Sequence, residues 1–382
     1  MTNNSVITDI KSKIIDLETN KMKYDINKPI ESNTKNDEKI DIIHEKNYNS
    51  ETQIGIINIG NTCYINSILQ ILFHTPIFLD EFLKHTKDIR KMPMTVCYNL
   101  LKIYENLIDA SKFKNKTMDI SFFIYFFRMK HPNFGENEQN DSIEFYRVLS
   151  EDINFELNEA GKNFIYKEIM YSNDNDKIIM NEEFIKYFKE KENSIITQNF
   201  YPQLISSYIC ECQKIIYSFE KILDIPLILP NNENDTTLKE LLDKYFSGEM
   251  VDFEYKCKYC NKKTQHLKYN RFSLLPKILI LTLLRINILN NTKNDIKVIF
   301  EDSLDLDNYI DKDIMKGVNS KYKLYGVISH MGSVEYGHYI AYLNLGLKDI
   351  WYEYNDSVVS KFGDKMPLDN AYILFYIKND IY

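Results

Sequence analysis

Cys63 directly follows Gly60-Asn61-Thr62 and opens a segment of helical period. Unpaired backbone N–H groups and the positive end of a helix dipole stabilise an anion at such a position, which draws a thiol toward its reactive thiolate. A lone cysteine also reads as a small core side chain, so its surroundings have to decide. A thiolate nucleophile needs a base near it in space. His338, within Tyr336-Gly337-His338-Tyr339, stands in an alternating stretch that reads as a strand, beside a glycine that permits close approach. The base in turn needs an acceptor that fixes its tautomer, and Trp351-Tyr352-Glu353-Tyr354-Asn355-Asp356 offers Asn355 or Asp356 one strand later. Cysteine, histidine and Asn/Asp, distant in sequence and meeting only in the fold, make the papain-type arrangement for acyl transfer. That chemistry also requires donors for a tetrahedral oxyanion. Asn58, five residues before Cys63, offers a side-chain amide beside the Cys63 backbone N–H.

These side chains need elements to carry them. The chain has 382 residues, 44% hydrophobic and 13% aromatic, which is enough for a large core. Length alone leaves open two or three domains, or one large domain with a tail. With Lys+Arg 47 against Asp+Glu 55 the formal charge is −8, and no Lys/Arg-rich block occurs. Binding energy from phosphate neutralisation is thereby disfavoured, so a basic or mixed-charge protein partner is expected rather than nucleic acid. The first ten residues, MTNNSVITDI, lack the basic and apolar regions of a secretory signal. The most apolar run, Ile278 to Leu284 between Lys277 and Arg285, falls far short of the roughly 20 residues that span a bilayer, so no membrane association is expected. Six cysteines in such a chain read as thiols or metal ligands, and a reducing compartment, cytoplasm or nucleus, is the expectation.

Residues 1–53 are rich in Asn, Lys, Asp and Glu and read as a disordered tail, with one short amphipathic stretch at Ile7, Ile10, Ile14 and Leu17. From Ile54 the texture changes. Tyr64, Ile68, Leu69, Leu72 and Phe73 share a helical stripe that Pro76 is expected to end. Residues 95–129 and 139–158 read as helices, the second with Ile143, Phe145, Tyr146, Leu149 and Ile153 on its apolar side. Beyond residue 200 strands are expected near 203–210, 214–228, 265–272, 278–285, 322–329, 336–343 and 350–354. A helical half followed by a strand-rich half predicts an α+β fold.

Taken with their flanks, these motifs are specific. The segment Gly55-Ile56-Ile57-Asn58-Ile59-Gly60-Asn61-Thr62-Cys63-Tyr64-Ile65-Asn66-Ser67-Ile68-Leu69-Gln70 resembles the cysteine box of the ubiquitin-specific proteases, and Tyr322 to Asp356 resembles their histidine box. Between them, Gln139-Asn140-Asp141-Ser142-Ile143-Glu144-Phe145 is similar to the family's Gln-Gln-Asp-Ala-x-Glu-Phe helix, departing at Asn140 and Ser142. Pro276 to Arg285 resembles the central Pro-x-x-Leu-x-Leu-x-Leu-x-Arg strand, and Phe300 to Tyr309 the strand after it. The likeness runs in the family's order from about residue 54 to the carboxyl end, so residues 54–382 are expected to form the catalytic domain.

The resemblance implies a papain-like peptidase fold with a helical thumb, a β-rich palm and β-fingers that grip ubiquitin. Cys63 would be the nucleophile, His338 the general base and then acid, Asn355 the residue orienting it, and Asn58 the oxyanion donor. An Asn cannot stabilise an imidazolium by charge, so Asp356 is expected to share that task. Asp141 would hold the backbone of the incoming ubiquitin tail, with Gln139 nearby. The implied activity is hydrolysis of the bond after ubiquitin's C-terminal glycine, on ubiquitinated proteins, by a monomer. A ubiquitin-binding module without activity and an isopeptidase for another ubiquitin-like modifier are the rival readings.

Cys257-Lys258-Tyr259-Cys260 is a C-x-x-C knuckle that supplies half of a tetrahedral zinc site. Cys210 and Cys212 are the other half, spaced C-x-C where the family has C-x-x-C, so either a distorted structural zinc site or a metal-free finger is expected; no catalytic cofactor is. Cys97 reads as core. His330, eight residues before His338, is the other candidate base, but the Gly-His-Tyr context matches the family base at His338. His44, His74, His85, His131 and His266 carry no supporting neighbours and read as structural.

Overall fold

The computed structural model describes residues 53–108, 116–135, 139–160, 176–231, 234–251, 254–257, 259–287, 290–367 and 369–381. The expected tail, apart from Gln53, and its amphipathic stretch lie outside the described residues.

The helical part begins with α1 (Cys63–Phe73), in which all eleven residues are buried. A helix apolar all round must sit between layers rather than on a surface. Pro76 does not end this helix; α1 stops at Phe73, and Pro76 starts α2 (Pro76–Lys84), where its missing N–H costs nothing. The helix expected over 95–129 is two: α3 (Val96–Ile108) and α4 (Ser121–Lys130), with a short strand Thr117–Met118 between them. That strand pairs in parallel with Gly55–Ile56, the segment leading to Cys63, so a tertiary pairing overrides helical period here. Next, α5 (Ser142–Glu156) starts at an N-cap, Asp141, whose side chain accepts from the Ile143 N–H. Tyr64, Phe127, Phe134 and Phe145 pack as an aromatic cluster, with the Phe127 and Phe145 centroids 4.9 Å apart, and join α1, α4 and α5 into the thumb. Two further helices, α6 (Lys177–Lys191) and α7 (Ile195–Asn199), lead into the strands.

Two sheets follow. The fingers are built on β1 (Gln203–Ile209) and β2 (Ile215–Lys221), a hairpin; Leu267–Leu274 pairs with β1, and the short Glu249–Met250 pairs with Leu267–Leu274 in turn. The strand expected over 214–228 is thus split: β2 ends at Lys221 and β3 (Ile225–Ile228) belongs to the palm. The break holds Asp224, whose carboxylate accepts from Arg147 Nε and Nη2, each at 2.9 Å, and from the hydroxyl of Thr282 at 2.7 Å, clasping thumb to palm. Then come β4 (Leu267–Leu274), which pairs with β1, and the palm strands β5 (Ile278–Leu284), β6 (Ser303–Asp305), β7 (Lys321–Gly332), β8 (Gly337–Asn344), β9 (Trp351–Asn355), β10 (Val358–Gly363) and β11 (Ala371–Lys378). The palm sheet runs β10-β9-β8-β7-β11-β5-β3, with β6 added against β7. Strand β11, absent from the sequence expectation, is central, and its Ala371–Ile377 are all buried. A strand covered on both faces reads as an unbroken apolar run rather than an alternation. The core of the palm includes Leu279, Leu281, Val327, Trp351, Leu374 and Tyr376.

Gly326 of β7 lies where the thumb helix α1 meets the palm. A Cβ there would lie 2.8 Å from Ile71 Cδ1, the end of that side chain, so any larger residue would make Ile71 shift where α1 lies on the sheet. Among the described residues no helix is long and apolar enough to cross a membrane.

Candidate active site

The loop before Cys63 is tied by one side chain. Asn58 Oδ1 accepts from the N–H groups of Gly60 and Thr62, both at 3.1 Å, and from the Thr62 hydroxyl at 3.2 Å. Gly60 and Asn61 turn through positive φ, 105° and 50°, and Cys63 then begins α1, almost fully buried. Gln139 reaches this loop, donating from Nε2 to Asn61 Oδ1 at 3.2 Å.

His338 stands on β8. Its Nε2 donates to Asn355 Oδ1, at the end of the neighbouring β9, at 2.8 Å, and the Asp356 Oδ2 lies 3.9 Å from the same nitrogen. The ring's other nitrogen is left for the thiol. The neighbouring Cys63 is the largest of the influences that raise the imidazole to about 9, joined by the Asn355 bond and the nearby Asp356 charge against the opposing effect of burial. Cys63, His338, Asn355 and Asp356 are therefore brought together. Asp356 adopts φ +49° at the turn between β9 and β10, and its backbone carbonyl accepts from Ile56 N at 2.8 Å. Its carboxylate is held on both oxygens, by Asn58 Nδ2 at 2.9 Å and Asn66 Nδ2 at 2.8 Å. Asn58 is thus bound to Asp356 through one of its two amide hydrogens, with the second left over.

His330 lies elsewhere. The β7–β8 register sets it opposite Tyr339, on the face of the sheet away from His338, and their ring centroids are 4.5 Å apart. Burial, then the nearby Lys293 ammonium, lowers it to about 4, and it packs so closely that a Cβ on Gly337 would meet its Nε2 at 2.0 Å. It is a buried neutral ring. Asp141, besides capping α5, accepts from the Tyr372 hydroxyl at 2.5 Å, and burial raises its carboxyl. Cys97 is buried, and desolvation followed by the Glu156 charge pushes its thiol up, as suits a core position.

Two participants in this arrangement escaped the sequence reading. Asn66 stood in the cysteine box as an unremarked polar residue three positions after Cys63, on a helix otherwise buried and largely apolar; that misfit was the available signal. Tyr372 belongs to the unforeseen β11, and nothing in its neighbourhood set it apart.

At the tip of the fingers the Sγ atoms of Cys210, Cys212, Cys257 and Cys260 all lie within 4.8 Å of one another. The Cys210–Cys260 and Cys212–Cys257 sulfurs are each 3.8 Å apart. Zinc–sulfur bonds of about 2.3 Å in a tetrahedron put sulfurs about 3.8 Å apart, so the four thiols fit such an ion. The short C-x-C spacing is accommodated because Gln213 turns at φ +62° while Cys210 N reaches Lys214 O at 3.0 Å. Asn261, at φ +61°, makes the matching turn after Cys257.

Comparison with known proteins agrees with this architecture. Residues 54–376 match the family model described as ubiquitin carboxyl-terminal hydrolase. The chain is 28% identical over 371 residues to ubiquitin carboxyl-terminal hydrolase 4 of Saccharomyces cerevisiae, which covers 86% of this chain and 40% of that protein. It is 29% identical over 345 residues to ubiquitin carboxyl-terminal hydrolase Usp2 of Drosophila melanogaster, with 86% and 35% covered. The chain thus spans about two fifths of the length of these curated relatives. Among solved structures, a Ubp8/Sgf11/Sus1/Sgf73 module bound to ubiquitin aldehyde superposes with a TM-score of 0.67 at 24% identity, covering 99% of this chain and 76% of that one. By the extent of the family match and the shared papain-like thumb, palm and fingers, this chain belongs to the ubiquitin carboxyl-terminal hydrolases of the ubiquitin-specific protease type.

Proposed function

We propose that residues 54–382 act as a thiol isopeptidase that hydrolyses the bond after the C-terminal glycine of ubiquitin, with Cys63, His338 and Asn355 as a triad. The reading rests on one observation: a single histidine bonded to Asn355 through Nε2, beside the Asp356 carboxylate, with its charged form favoured by the neighbouring Cys63. His338 takes the Cys63 proton, and the thiolate adds to the glycine carbonyl. The oxyanion is met by the Cys63 backbone N–H and by the free amide hydrogen of Asn58. Collapse breaks the C–N bond, the lysine amine leaves with the proton from His338, and a thioester remains. Water then attacks the thioester with His338 as base, releasing the ubiquitin carboxylate and restoring the thiol. Asp356 faces the imidazolium as a negative charge. Asp141 and Gln139 would bind the ubiquitin tail.

Cys210, Cys212, Cys257 and Cys260 would hold one zinc ion, whose four thiolates close its coordination, so it braces the fingers and activates no water. A thiolate nucleophile and thiolate metal ligands call for a reducing compartment, cytoplasm or nucleus.

Covalent capture by ubiquitin carrying a C-terminal electrophile tests the reading. A gel shift of one ubiquitin mass, abolished in Cys63→Ala and strongly slowed in His338→Ala, is expected. Binding of ubiquitin without capture would leave a binding module, and capture only by a probe built on another ubiquitin-like protein would replace the substrate.

A further inference from the structure

Asn66 is an expensive residue to keep. It is buried within an apolar helix, and its Oδ1 has no hydrogen-bond partner among the described residues, a desolvated acceptor that costs stability. Its Nδ2 makes both of the amide's contacts, to Ile56 O at 3.3 Å and Asp356 Oδ1 at 2.8 Å. The amide cannot be turned over, because its oxygen would then face another carbonyl and a carboxylate. Gln70, one turn later on the same helix, is the natural comparison. It too is buried with an unpartnered oxygen, and its Nε2 donates to Ile54 O at 2.9 Å, tying the same segment to α1. Gln70 tethers backbone only; Asn66 also reaches the carboxylate.

That carboxylate serves two clients. Asp356 Oδ2 accepts one hydrogen of Asn58 Nδ2 at 2.9 Å, which fixes where the other hydrogen points, and it stands 3.9 Å from His338 Nε2. Asp356 sits on a two-stranded turn in a left-handed conformation, with its side chain free to rotate unless something holds it. We propose that Asn66 is a positioning residue for the isopeptidase reaction, holding the Asp356 carboxylate where it braces the Asn58 amide and faces the His338 imidazolium together. The inference rests on the reading of Cys63 and His338 given above. It explains how a triad whose third member is a neutral amide keeps a charge in place for the imidazolium: the charge comes from the next residue, and the nucleophile's own helix supplies the clamp. The nucleophile, the base and the oxyanion donor are then coupled through one hydrogen-bonded carboxylate, three residues along α1 from Cys63.

The groups facing His338 are Cys63 from α1, Asp356 from the β9–β10 turn and, through the sheet, His330 from β7. Of these, Asp356 alone receives a side-chain hydrogen bond from Asn66 among the described residues. Loss of the clamp therefore has a signature that loss of packing does not.

The test compares Asn66→Leu, Gln70→Leu and Asp356→Asn in the full chain, reading ubiquitin hydrolysis against pH alongside thermal unfolding. Asn66→Leu is expected to lower kcat on the order of tenfold with KM little changed, and to move the alkaline limb of the profile to lower pH. Gln70→Leu is expected to lower the unfolding temperature while keeping the native kcat and profile. Asp356→Asn, a turn substitution that leaves the core untouched, is expected to reproduce the Asn66→Leu change, and the double variant to lose no more than either single one. A native kcat and profile in Asp356→Asn overturns the proposal even if Asn66→Leu fails to fold. So does Asn66→Leu behaving like Gln70→Leu, or losses that multiply in the double variant. Capture of the native chain by the ubiquitin electrophile separates the two levels: no capture overturns the isopeptidase reading and this inference together, whereas capture with an unaltered Asn66→Leu overturns only the inference.

Discussion

Asp356 Oδ2 lies 3.9 Å from His338 Nε2, while the neutral oxygen of Asn355 lies 2.8 Å from the same atom, so orientation and charge reach the imidazole from two consecutive residues. The hydrogen bond fixes the ring and the carboxylate favours its charged form.

The division of labour predicts that Asn355→Ala lowers the rate of ubiquitin-electrophile capture by about a hundredfold without preventing ubiquitin binding. Because the Asn355 bond helps raise His338 toward about 9, its removal should move the alkaline limb of the capture profile to lower pH. A limb that stays in place while the rate falls would mean that Asn355 orients the ring without favouring its charge.

Acid should weaken the fold through histidines that do no chemistry. His74 is fully buried against Tyr354, and desolvation lowers it from 6.5 to about 4; His330 is lowered to about 4 in the same way. Depressed in the folded state, each group is bound by a proton first in the unfolded chain. Stability is thus full above pH 6.5 and declines as pH falls toward 4, by about 3 kcal/mol for His74. Urea midpoints between pH 7 and pH 4.5 check this, and His74→Phe should flatten the decline.

A side chain at Gly326 should press on the end of Ile71. In Gly326→Ala the new Cβ meets Ile71 Cδ1 at 2.8 Å, and because that atom ends a side chain that can turn, a loss of about 1 kcal/mol, at the low end for overpacking, is expected. Ile71→Val removes the offending carbon, so the double variant should be more stable than Gly326→Ala alone. Additive losses in a double-mutant cycle would sink the assignment of this contact.

For the fingers, metal analysis of native protein after gel filtration should find about one zinc per chain, lost in Cys257→Ser and in Cys212→Ser. Cys63 lies outside the cluster, so either variant should still be captured by the ubiquitin electrophile. Zinc that persists in both variants would place the ion elsewhere.

The cysteine box, the histidine box and their order along the chain were legible because local chemistry writes them. A helix start, a glycine-flanked strand and an acceptor one strand later each leave a mark within a few residues, and α1, α5 and the strands around His338 follow from hydrophobic period alone. The α+β class followed from the same alternation. Other features were set by partners distant in sequence. Strand β11 gave no alternating signal because both its faces are covered, and the break between α3 and α4 depends on Thr117–Met118 pairing with Gly55–Ile56. The four finger thiols converge despite the C-x-C spacing because two left-handed turns aim them inward. Asn66 acquires its meaning only when the β9–β10 turn, 290 residues away in sequence, brings Asp356 against it. Sequence supplied the reactive groups; which amide holds which carboxylate was decided by the packing of α1 on the palm, since a hydrogen bond between distant residues leaves no periodicity along the chain.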